Sequence, residues 1–104
     1  TYLSSIFTQE NQIKAYSNKY IINLVGLAND NNARIMDLLI NEFPGYVELK
    51  EESLSNDFQK WLYLSSAKHN KIIYWFKSII KQINRSNQNN LQLLIDGKNI
   101  IIQN

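Results

Sequence analysis

The stretch HNKIIYWFKSIIKQINRS, residues 69 to 86, constrains this chain more than any other. Ile72, Ile73, Phe76, Ile79, Ile80 and Ile83 recur at the i, i+4, i+7 spacing of one helix face, while Lys71, Tyr74, Ser78, Lys81 and Arg85 form the opposite stripe. A helix patterned this way must lay its apolar stripe on another layer, so the rest of the chain has to supply a sheet or further helices.

The remaining segments read mostly as strands. KYIINLVGL is rich in β-branched residues and alternates, with Tyr20, Ile22 and Leu24 on one face and Ile21, Asn23 and Val25 on the other. A helix running on to Ala28 is the competing reading. NDNNARIMDLLINEF opens on capping residues and carries Met36, Leu39, Ile40 and Phe43 at helical spacing before Pro44-Gly45 stops it. GYVELKEE predicts a short strand with Val47 and Leu49 on one side and Tyr46, Glu48 and Lys50 on the other, and SLSND is turn chemistry. KWLYLSS alternates as a strand, Trp61, Tyr63 and Ser65 against Leu62 and Leu64, although LSNDFQKWLYL also fits a helix. LQLLIDGKNIIIQ predicts a hairpin around Asp96-Gly97. A short helix opening near Thr8 is expected at the start. The expected fold is α+β: a ferredoxin-like βαββαβ plait with an N-terminal helix and a C-terminal β-hairpin.

At 104 residues, with 44% apolar and 12% aromatic residues, the chain is expected to form one globular domain spanning 1–104. It opens on Thr1 rather than Met, compatible with a domain cut from a longer protein. Having no cysteine, it forms neither disulfides nor thiolate metal sites, which leaves the compartment open. No apolar run approaches the roughly 18 residues of a membrane span, and TYLSS does not resemble a signal peptide.

No catalytic, cofactor-binding or metal-binding residue is assigned, and neither a cofactor nor a small-molecule substrate is expected. Gly26 stands alone before Asn31 and Asn32, with neither the paired glycines nor the lysine of a phosphate loop, so YIINLVGLANDNN is read as a strand-to-helix turn. His69 is the single histidine and has no carboxylate close in sequence, which favours a solvated role near a helix start. Glu48, Glu51 and Glu52 cluster on a strand end without the Asp-rich loop of a calcium site. The serines lack nucleophile-elbow glycines. An enzyme is therefore not expected.

Charge distribution says more than the net +2. Residues 60 to 85 hold Lys60, Lys68, Lys71, Lys77, Lys81 and Arg85 with no acid, whereas residues 30 to 59 hold most of the acids. A basic stripe of Lys71, Lys77, Lys81 and Arg85 facing an acidic flank with Asp37 beside Leu38 suggests docking to a protein partner or to a second copy, head to tail. The alternative uses Trp61 and Tyr63. If Leu62 and Leu64 point to the helices, these aromatics lie on the open sheet face, where single-stranded nucleic acid could stack.

KWLYL and YIINL are similar to the inner and first strands of RNA-recognition motifs, without the glycines that flank that family's aromatics. LVGLANDNNARIMDLL resembles the strand-glycine-turn-helix unit of ferredoxin-like and ring-building domains in bacterial secretion and type IV pilus assembly proteins, over residues 20 to 95. That resemblance implies a non-catalytic assembly module of a multi-subunit machine in the cell envelope; otherwise the cytoplasm is expected. It carries over no site residue.

Overall fold

The computed structural model describes residues 17 to 55, 57 to 87 and 90 to 104; the helix expected near Thr8 lies outside them. In chain order the elements are β1 (Asn18–Val25), α1 (Asn29–Asn41), β2 (Tyr46–Leu54), β3 (Phe58–Ser65), α2 (His69–Asn87), β4 (Gln92–Asp96) and β5 (Asn99–Gln103). Both segments that the sequence leaves between strand and helix are strands. Gly26 ends β1 at φ +67° and donates its N–H to Asp57 O at 2.7 Å, tying the turn to the start of β3. A side chain there would pay for the left-handed backbone.

The plait is overturned by the sheet order. The five strands run β2-β3-β1-β5-β4, and β5 lies parallel to β1 while the other neighbours are antiparallel. In a βαββαβ plait the strand after the second helix would lie beside β1. Here the hairpin folds inward, so β5 takes that place and β4 becomes an edge. The strand composition explains the choice. Ile100 and Ile102 are fully buried, whereas β4 carries Leu94, which is 49% exposed. Each strand carries three apolar residues, but all three in β5 are β-branched isoleucines against one in β4, and the β-branched strand takes the middle position.

Cross-strand register assembles the core as rows on one sheet face. Trp61, Ile22, Ile100 and Ile95 form one row; Gln59, Leu24, Ile102 and Leu93 form the next. Ile35 and Leu39 of α1 and Ile72, Phe76, Ile79 and Ile83 of α2 belong to the same buried cluster. Each such isoleucine contributes about 1.5–3 kcal/mol relative to leaving it in water. On α1 the buried apolar residues are Ile35 and Leu39, joined by Phe43 just past the helix end, and Ile40, expected inside, is 44% exposed.

Two further expectations about faces are corrected. Trp61 and Tyr63 face the helices, because they pair with Ile22 and Tyr20, while Leu62 and Leu64 share the opposite face with Ile21 and Lys19. Tyr46 joins Leu49 on the helix side rather than opposing it. A register shift between Tyr46 and Glu48 inserts Val47 as an extra residue, which re-aims the strand.

Candidate functional site

The groove between α2 and the edge strand β4 holds about 460 Å³ and is lined by Ile73, Lys77, Lys81, Leu93 and Ile95. Its walls follow from two periodicities. Ile73, Lys77 and Lys81 are four apart on α2, about 6 Å per step along a helix axis. Leu93 and Ile95 are two apart on β4, about 6.7 Å per step along a strand. The two repeats nearly match, so the groove is regular along its length. Asn84 holds the walls in place: its side chain donates to Leu91 O at 3.0 Å and accepts the Leu91 N–H at 2.8 Å, fixing the chain just before β4 against the last turns of α2.

Leu93 and Ile95 are the outer ends of the core rows, half-buried and only partly covered by α2. Lys77 and Lys81 stand above them, exposed. α2 contains no acidic residue. Among the described residues neither lysine has an ion-pair partner. The groove thus joins an apolar floor to two uncompensated positive charges, with Tyr74, 66% exposed, close by on the same helix.

The structure divides the stripe expected from sequence. Lys77 and Lys81 line the groove, whereas Lys71 and Arg85 are exposed elsewhere on α2. On α1, Asp37 is exposed and accepts a 2.7 Å hydrogen bond from Asn41, but Leu38 is half-buried against the core. Arg34 of α1 donates to Ser86 Oγ at 3.2 Å and so joins the two helices. Three groove residues carry no site assignment in the sequence: Ile73 belongs there to the core stripe of the helix, and Leu93 and Ile95 to the hairpin. The signal of the latter two was an i, i+2 apolar pair on the first strand of the hairpin.

The aromatics proposed for base stacking are differently placed. Tyr63 is fully buried, its ring 6.1 Å from those of both Tyr20 and Phe43. Trp61 is half-buried against the core and donates its indole N–H to Gln59 Oε1 at 3.2 Å. A base could stack on Tyr63 only if the helices lifted away. Burial pushes the Tyr63 phenol up to about 12, and the nearby Ser65 hydroxyl offsets part of this. The Tyr63 hydroxyl itself has no hydrogen-bond partner among the described residues, while Ser65 Oγ donates to Pro44 O and accepts the Ala67 N–H. Burial raises Tyr20 as well.

His69 is not the solvated residue expected. Its ring stacks on Tyr20 at 5.7 Å, with Nδ1 3.0 Å from the Tyr20 hydroxyl, which anchors the start of α2 to β1. Among the described residues no group of three or more His, Cys, Asp or Glu is placed to hold a metal ion. None of the described helices is long and apolar enough to cross a membrane.

No family model matches the chain, and neither a curated protein nor a solved structure shows significant similarity to it.

Proposed function

We propose that the protein is a non-enzymatic protein–protein interaction module that receives a partner chain in the groove between α2 and β4. One observation carries this reading: an apolar floor of Ile73, Leu93 and Ile95 lies open beneath two lysines that have no partner among the described residues. Unpaired charge beside accessible apolar surface is the composition of an anchoring site, since the floor supplies desolvation and the charges supply selectivity. The secretion or pilus machine implied by the resemblance is one setting for such a module, but the groove requires none in particular.

The test is competitive selection. A phage-displayed peptide library is panned on wild-type protein and counter-selected on the Lys77→Glu/Lys81→Glu variant. Both lysines are exposed, so the variant is expected to unfold at an unchanged urea midpoint. Sequences retained by the wild type and released by the variant are the expected result; equal enrichment on both proteins would remove the groove from consideration. Head-to-tail self-association through the same lysines would appear in sedimentation as a lower assembly state of the variant.

A further inference from the structure

We infer that the groove's partner is an extended peptide, apolar and acidic, that adds to β4 as a sixth strand; this rests on the interaction role proposed above. Three observations converge on it.

First, β4 is the terminal strand of the sheet among the described residues. The backbone groups facing outward can be identified. Lys98 O accepts the Ile21 N–H at 3.0 Å, so β5 turns the backbone of residues 98, 100 and 102 toward β1 and that of 99, 101 and 103 toward β4. These latter residues pair with Asp96, Leu94 and Gln92. Leu93 and Ile95 therefore direct their N–H and C=O groups away from the sheet. An added strand would satisfy them, as in other cases of strand addition to a sheet edge.

Second, Leu93 and Ile95 are also the residues whose side chains floor the groove. A strand hydrogen-bonded to their backbones places every second side chain over that floor, beneath Lys77 and Lys81. Glutamate suits these positions: its methylene stem covers apolar surface while its carboxylate reaches a lysine. The alternate side chains emerge on the opposite sheet face beside Leu94, where a β-branched apolar residue fits.

Third, the other edge is unsuited to the same use. β2 carries Glu48, Lys50, Glu51 and Glu52 and two register shifts, whereas β4 pairs with β5 without a shift. Charges and bulges are what proteins place on edges that must stay unpaired. β4 has neither, apart from Asp96 at its end.

The probe is a capped, fluorescein-labelled peptide of alternating valine and glutamate, titrated into the protein and followed by anisotropy. Its counterpart is the same peptide N-methylated at alternate residues on the hydrogen-bonding side. The inference expects the Lys77→Glu/Lys81→Glu variant to weaken binding about tenfold or more. N-methylation should weaken it about as much, because it removes the ladder donors while keeping every side chain. Binding that falls with charge reversal yet ignores N-methylation would overturn strand addition while leaving the interaction groove intact. Failure of the unmodified probe to bind wild-type protein would overturn the acidic-strand partner, and the library selection would then judge the interaction role by itself.

Discussion

Among the described residues β2 and β4 both end the sheet, yet they meet solvent in opposite ways. β2 presents a run of charged side chains, shifts register between Tyr46 and Glu48 and again between Glu51 and Ser53, and leaves Leu54 exposed only at its end. β4 is short, regular and apolar through Leu93, Leu94 and Ile95. A domain that merely had to stay monomeric would blunt both edges. The two edges differ: β2 carries the charges and register shifts that discourage pairing, and β4 carries neither apart from Asp96 at its end. Lys77 and Lys81 of α2 line the groove beside β4.

The largest expected effect tests how far each edge draws on the shared core. Ile100→Ala empties a fully buried position in the row that ends at Ile95, and should cost about 2–5 kcal/mol by urea unfolding. Leu93→Ala, at the half-buried rim, should cost clearly less. Equal losses would mean that β4 is as deeply packed as β5, and the distinction between rim and core would disappear.

Turn glycines give the next contrast. A Cβ on Gly45, which precedes β2 at φ +69°, would lie 2.6 Å from Ala67 N and 2.8 Å from Ser66 Oγ. Gly97, beside β4 at φ +59°, has nothing within 4 Å. Gly45→Ala should therefore lose about 2–4 kcal/mol, combining backbone strain with a backbone clash, and Gly97→Ala only about 1–2 kcal/mol. Matching thermal shifts for the two variants would contradict this asymmetry.

Alkaline pH sharpens the comparison further, because the β2 side rests on a titratable residue and the β4 side on aliphatics. Tyr63, beneath the β2–β3 pair, has its folded value raised from 10.0 to about 12. The phenol is neutral in both states below pH 10. Between that value and 12 the unfolded chain ionises first, so stability present at neutral pH is lost as pH rises, by an amount on the order of 2 kcal/mol. Tyr63→Phe should remove that part of the loss. It should cost little at neutral pH, since the hydroxyl has no hydrogen-bond partner among the described residues to forfeit. An unchanged alkaline profile in the variant would assign the loss to Tyr20 or another group.

The smallest effect is the most direct. Leu94→Lys places a charge on the exposed face of β4 and should change stability by no more than about 0.5 kcal/mol. Self-association at high concentration, if present through this edge, should fall.

Much of the secondary structure was legible because periodicity reports burial directly. α2 shows the expected stripe almost residue for residue, and the Asp96-Gly97 hairpin formed where the turn chemistry put it. Three things were not legible. In β3 both alternating sets are apolar, so the pattern could not say whether Trp61 and Tyr63 or Leu62 and Leu64 face inward; pairing with Tyr20 and Ile22 decided it. The extra residue Val47 reversed the expected face of Tyr46, and nothing in GYVELKEE announces a bulge. The sheet order depends on which hairpin strand inserts beside β1, a long-range competition that element order does not encode. The uninterrupted run of isoleucines in NIIIQ against QLLID was the available hint. The groove was hidden for the same reason, since it exists only because β4 is the outer strand.

That inward fold of the hairpin also sets when the molecule can finish folding. Ile22 pairs with Ile100 across nearly the whole described chain. β1 therefore keeps one side bare until β5, the last strand in chain order, has slid in alongside it. Closing so long a loop is slow compared with forming α2 or the β2–β3 hairpin. Throughout that interval the apolar edge of β1 is open to other molecules. A freshly made chain is thus most prone to mispair late, at the centre of its sheet, where the native structure offers no opening at all.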